Sequence, residues 1–137
     1  MKLVLDSDVL LDFVLARSGF VHEIDALFQC QTEWGLEFAT TGCVLQNVHY
    51  IAEKGALGLP RTVFEQLLAR ITVIPVAASH LARALDFSDF EDAVVAFAAA
   101  DASADYVITR NLKDFRKIPG ISSLTPREFT ALRSALG

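Results

Sequence analysis

Apolar and polar residues along the chain alternate between two periods, one suited to strands and one to helices. Residues 2–5 form a short apolar run of strand length that ends abruptly at Asp6-Ser7-Asp8. Val9, Leu10, Leu11 and Phe13 then predict a helix from about Asp8, with Ser7 as its N-cap. Residues 22–31 give a second helix with Ile24, Leu27 and Phe28 on one face, and residues 36–39 a brief strand. Thr40 or Thr41 can cap the next helix, whose stripe is Val44, Leu45, Val48, Ile51 and Ala52 and which Gly55 ends. Pro60 opens a helix through residue 69, and residues 71–76 form a β-branched strand. Residues 77–85 and 90–102 are helical, and residues 106–109 and 121–124 are strands. Thr125-Pro126-Arg127-Glu128 is a capping box with proline at the first helical position, so a last helix starts there. Such alternation implies a parallel sheet with helices on both faces, folded as one domain over residues 1–137. No internal repeat or low-complexity tract interrupts it.

Composition narrows the class. Hydrophobic residues make up 53% of the chain and the mean hydropathy is +0.39, high for a soluble protein. Charge nevertheless interrupts every apolar run well short of the roughly 20 residues needed to cross a bilayer. The nearest approach, residues 93–100, is bracketed by Glu91, Asp92 and Asp101. Lys2 is followed by only three apolar residues before Asp6, which is not a signal peptide, and a cytoplasmic protein with no membrane contact is expected. Cys30 and Cys43 have no metal-type spacing and are expected to be buried free thiols. His22, His49 and His80 are scattered, so a zinc site is not indicated. The net charge of −5 opposes non-specific grip on nucleic acid. Its distribution is uneven: residues 110–137 are locally basic through Arg110, Lys113, Arg116, Lys117, Arg127 and Arg133. That cluster is either a solvated helix end or a phosphate-contacting patch beside an acidic site.

Three groups of acids bear on chemistry. Asp6 ends a strand, where no cap or turn needs a carboxylate and where open parallel sheets place ligands. Asp8 suits the first turn of a helix through the macrodipole, and Asp12 can pair with Arg17 or face solvent. In the second group, Ser88 and Glu91 form an S-x-x-E box and Asp89 suits the helix dipole, which leaves Asp92 unexplained beside an almost wholly apolar helix. The third group follows the strand at 106–109: Asn111 can cap a short turn, with Asp114 three residues on. Acids converging from separate segments raise one another's pKa unless a cation keeps them ionised.

These segments resemble a known family in order and spacing. Leu5-Asp6-Ser7-Asp8-Val9-Leu10-Leu11-Asp12 is similar to the opening motif of PIN domains. Asp89-Phe90-Glu91-Asp92-Ala93, the run Ala104 to Phe115 and the ending Thr125-Pro126-Arg127-Glu128-Phe129 resemble the later motifs of one PIN subgroup. The resemblance implies a three-layer α/β/α sandwich with a central, mostly parallel sheet. It also implies a metal-dependent nuclease, since many small bacterial members are VapC-like toxins neutralised by an antitoxin protein. By position, Asp6 is the first metal ligand and Asp92 the later one; Asn111 stands where many members have another acid, with Asp114 close behind. The family's second acid falls near Gln46 or Asn47, of which Asn47 has the better register, and both are neutral amides.

The expectation is hydrolysis of RNA phosphodiesters. Asp6, Asp92 and Asp114 hold Mg²⁺ or Mn²⁺, Asn111 and Asn47 complete the coordination, and Arg110, Lys113 and Lys117 contact backbone phosphates. The apolar composition adds a homodimer face or an antitoxin groove. The alternative is a PIN-like module with a weakened site that binds RNA or a partner protein, which the missing acid favours. A third possibility takes Asp6-Ser7-Asp8 as the Asp-x-Asp of an aspartyl-phosphate phosphotransfer enzyme. Leu10 stands where those enzymes want Thr or Val, and no later lysine motif follows.

Overall fold

The computed structural model describes residues 1–136. Thirteen elements follow in order: β1 (Lys2–Leu5), α1 (Ser7–Val14), α2 (Val21–Gln29), β2 (Glu37–Thr41), α3 (Gly42–Glu53), α4 (Arg61–Arg70), β3 (Ile71–Ile74), α5 (Ala78–Ala84), α6 (Phe90–Asp101), β4 (Tyr106–Ile108), α7 (Leu112–Phe115), β5 (Ser122–Leu124) and α8 (Pro126–Ala135). The five strands form one sheet in the order β3-β2-β1-β4-β5, and every pairing is parallel. The three-layer α/β/α architecture expected from the sequence is the one observed.

The strand order places the site. From β1 the chain builds outward through β2 to β3, then crosses back to lay β4 on the other side of β1. Right-handed crossovers put the connecting helices of these two halves on opposite faces. On one face α1 packs against α2 and α3, and α2 against α8; on the other α5 packs on α6, and α6 on α7. The carboxyl ends of β1 and β4 therefore part company at the point where the order reverses, and a crevice opens there.

The core explains why the flanking segments stay put. Leu3, Val4 and Leu5 of β1 are fully buried, as are Val107 and Ile108 of β4. Phe28 of α2 packs between Phe13 (tilted) and Phe38 (edge-to-face), with ring centroids 4.5 and 4.9 Å away. Along α6 every residue from Ala93 to Ala99 is buried, which is the helix that the apolar run predicted. Its alanines let neighbouring backbone approach closely, so the first turn of α6, with Asp92, is held rigidly against the sheet.

Local signals fixed some element ends and misplaced others. Thr41 caps α3: its hydroxyl accepts from the Val44 N–H at 3.1 Å, while Thr40 Oγ1 donates to the Leu5 carbonyl at 2.7 Å. Thr41→Ala should therefore cost about 1 kcal/mol, read by urea unfolding. The Thr125–Glu128 box forms reciprocally, both bonds being 3.0 Å. By contrast, Asp6 rather than Ser7 is the N-cap of α1, because the extended strand continues through Asp6 (φ −78°, ψ 164°) and Ser7 is already helical. Likewise the N-cap of α6 is Asp89, one residue past Ser88, so the expected Ser88–Glu91 box does not form. Cys43 is exposed rather than buried, since it faces outward from the first turn of α3. No helix among the described residues is long and apolar enough to cross a membrane.

Candidate metal centre

Asp6 is buried to 6% exposure at the mouth of the crevice. Its backbone N–H donates to the Ile108 carbonyl at 3.0 Å, which continues the β1–β4 ladder one residue past the strand. Its side chain makes no cap bond, so the carboxylate is free to face the crevice. Thr109 Oγ1 lies 3.0 Å from Asp6 Oδ2 and 3.3 Å from Asp8 Oδ2, and it accepts from the Asn111 N–H at 2.9 Å. A hydroxyl has one proton, so the two carboxylates compete for it. Asp8 Oδ2 also accepts from the Arg110 N–H at 3.0 Å, whereas Asp8 Oδ1 is buried without a partner.

Asp92 approaches from the opposite face of the sheet, in the first turn of α6. Asn111 Nδ2 donates to Asp92 Oδ2 at 2.9 Å, so Asn111, although it is the N-cap of α7, uses its side chain on Asp92 rather than on its own helix. Asp89, Asp92 and Asp114 each present a carboxylate oxygen, and the three oxygens lie within 4.8 Å of one another. Asp6 stands beside this trio rather than within it, sharing with Asp92 a cavity that also takes in Asn47.

The electrostatics follow from crowding. Burial, then the neighbouring Asp8 and Asp92 charges, push the Asp6 carboxyl up to about 7. Burial, then Asp89 and Asp114, push Asp92 up to about 6. Burial also raises Asp8, against the lowering effect of the Arg110 N–H. Asp114 moves the other way, because the Asn111 amide beside it holds it below the ordinary range. Metal-free, the site therefore holds protons at mildly acidic pH that a bound cation would displace. An oxygen-only donor set of this kind, with no histidine or thiolate among its carboxylates and amides, suits a hard divalent ion. The unpartnered Asp8 oxygen and the unneutralised carboxylates fit such an ion as well.

Several sequence expectations change here. Asp6, Asp92, Asn111, Asp114 and Asn47 all lie around the crevice. Asp89, given to the helix dipole by its position, joins Asp92 and Asp114. Thr109 and Asp8 were missed as site residues: a threonine ending a strand is unremarkable in sequence, and Asp8 had a helix dipole to explain it. Asp12 neither faces solvent nor depends on Arg17 alone. It is 2% exposed, accepts from Arg110 Nε and Nη2 at 2.7 and 3.0 Å, and has Arg17 Nη1 at 3.6 Å. The Arg110 guanidinium also lies 3.9 Å from the Phe20 ring centroid. The Arg110 charge is thus already matched inside the fold, which weighs against its expected contact with phosphate. Lys113 and Lys117 remain exposed on and just after α7, beside Asp114.

The fold and site define a parallel α/β protein with an acidic centre at its topological switch point. Residues 2–113 match the PIN domain family model, and the chain belongs to that family. No curated protein matches the sequence. Among solved structures, VapBC2 from Rickettsia felis, bound to a DNA fragment from its promoter, is similar with a TM-score of 0.62 at 17% identity, covering 91% of this chain and 98% of that one. FitAB bound to the IR36 DNA fragment gives 0.62 at 16% identity, covering 90% and 94%. FitAcB from Neisseria gonorrhoeae gives 0.60 at 13% identity, covering 91% and 98%. At these identities the likeness concerns the fold. Asp114 and Lys117 lie beyond the matched segment.

Proposed function

We propose that the protein is a Mg²⁺- or Mn²⁺-dependent endoribonuclease and the toxin of a toxin–antitoxin pair acting in the cytoplasm. The observation that carries this is the convergence on one cavity of Asp6, from the end of β1, and Asp92, from the first turn of α6, with carboxyls raised to about 7 and about 6 and Asp114 close by. Nothing in folding requires such a cluster, and its cost is offset when a cation binds. Asp6, Asp92 and Asp114 would hold the ion, with Asp89 as a fourth carboxylate beside Asp92 and Asp114. When bound, Mg²⁺ or Mn²⁺ lowers the pKa of water and stabilises charge on the phosphate.

The rest of the chemistry belongs to side chains. Asn111 fixes the Asp92 carboxylate by its 2.9 Å bond, and the Asn47 amide supplies a neutral oxygen where the family's second acid stands. The Thr109 hydroxyl orients Asp6 against Asp8. Lys113 and Lys117 would take backbone phosphates without reading sequence. RNA binding should weaken as salt rises, and Lys117→Ala should lower the slope of log affinity against log salt by about one. An unchanged slope would remove Lys117 from the interface.

Two of the structural neighbours, VapBC2 and FitAB, are two-component assemblies bound to DNA fragments, which supports a protein partner here. Exposed apolar side chains, among them Tyr50, Leu68, Val73 and Leu85, supply surface for an antitoxin or a second copy. A second function is favoured by one residue. Asn47 removes a negative charge from the site, as a non-catalytic module binding RNA or a partner protein would tolerate. Incubating the protein with single-stranded and structured RNAs and Mn²⁺, beside an EDTA control and Asp6→Asn, separates the two. Cleavage abolished by both controls supports the nuclease, cleavage that survives both excludes this site, and none under any metal favours the module.

A further inference from the structure

The cavity that Asp6 and Asp92 share is more apolar than a hydrated ion needs. It encloses about 220 Å³; beside the carboxylates of Asp6, Asp92 and Glu91 and the polar Asn47, Ser7 and Cys43, its apolar wall is Val44, Leu81, Phe90, Val94 and Val95. Phe90 and Leu81 are 38% and 42% exposed, and among the described residues Phe90 has no aromatic partner. Phe90 also opens α6, two residues before Asp92, and the two side chains line the same cavity. An open apolar slot with an unpaired ring, continuous with acids that would hold a divalent cation, matches a nucleotide: phosphate toward the cation site, base toward the slot. Unstacked bases pack on such rings, and every base has the π-face required.

We propose that this cavity receives the unpaired base next to the scissile phosphate, with Phe90 as its stacking platform, so that Phe90 and Leu81 determine substrate choice. The proposal rests on the ribonuclease assignment and adds to it that a base must leave its helix to be cut beside. A base held in a duplex cannot enter this slot, so a duplex loses the contact with Phe90 and Leu81.

Binding tests this without relying on cleavage. Single-stranded oligoribonucleotides carrying one abasic site, scanned along the strand, are titrated against the wild-type protein in Ca²⁺ by fluorescence anisotropy, beside the same strand annealed as a duplex. One abasic position should weaken binding about tenfold, the duplex should bind at least as poorly, and Phe90→Ala should show neither difference. Phe90→Trp should restore the abasic effect, which a merely structural role for the ring would not do; circular dichroism checks that each variant is folded. Strands that bind tightly while no abasic position matters would overturn the base slot and leave the nuclease assignment standing. RNA that fails to bind in any form would overturn both.

Discussion

Asp6→Asn is expected to stabilise the metal-free protein by about 2 kcal/mol at pH 8 while cutting RNA cleavage at least ~100-fold. The stability effect follows from the raised carboxyl of Asp6, about 7 in the fold against 3.8 for the ordinary group. A carboxyl shifted upward binds its proton more tightly folded than unfolded. Its neutral form is accommodated in full below about pH 4, and that advantage is lost as pH rises through about 7. Raising a carboxyl from 3.8 to about 7 corresponds to roughly 4 kcal/mol, and imperfect accommodation of the amide halves the gain. The Thr109 hydroxyl can donate to the asparagine oxygen as it does to Asp6, so that donor keeps its acceptor, while the new amide N–H groups account for the incomplete gain. The gain should vanish near pH 4, where Asp6 is already neutral. Urea unfolding at pH 4 and pH 8 measures it, and an equal effect at both would show that Asp6 bears no charge penalty. The loss of cleavage, worth about 3 kcal/mol in the transition state, would come from removing a ligand charge at the proposed metal site.

Arg110→Ala is expected to destabilise the protein by about 3 kcal/mol. Asp12 is almost fully buried, and its two oxygens take both Arg110 contacts; without them only Arg17, at 3.6 Å, faces it. Removing one partner of a buried pair leaves an uncompensated charge, which typically costs about 3–5 kcal/mol. Arg17 brings the value to the lower end, and loss of the Phe20 contact adds to it. The same substitution in an Asp12→Asn background should cost under about 1 kcal/mol, because no carboxylate is then stranded. A small effect of the single substitution, together with weakened RNA binding, would place Arg110 in the phosphate-contacting set.

Much of this was legible because each clue was local. A carboxylate at the end of a buried strand and another beside an apolar helix have no folding reason, and Asp6 and Asp92 stand out for that. The alternation of periods gave the parallel α/β layers, and the ordered motifs gave the family. Asp8 and Asp89 were obscured by helix-end positions that explain an acid without a site. In the fold the carboxylate of Asp8 reaches a different segment, Thr109 and Arg110, and Asp89 joins Asp92 and Asp114. The Asp12–Arg110 pair joins residues 98 apart in sequence, and no local pattern encodes a contact of that range. Strand order decides it: β4 returns to the side of β1, which brings Arg110 over α1.

Asp6, Asp92 and Asp114 are proposed to form a divalent-cation site whose protons the ion displaces. Calorimetric titration of Mn²⁺ into the metal-free protein at pH 8 and pH 5, for wild type and Asp92→Asn, tests it most directly. Because the carboxyls of Asp6 and Asp92 must give up protons near 7 and 6, affinity should be at least about tenfold weaker at pH 5. Asp92→Asn should abolish the binding. Mn²⁺ bound equally well at both pH values, or undiminished in Asp92→Asn, would contradict the account.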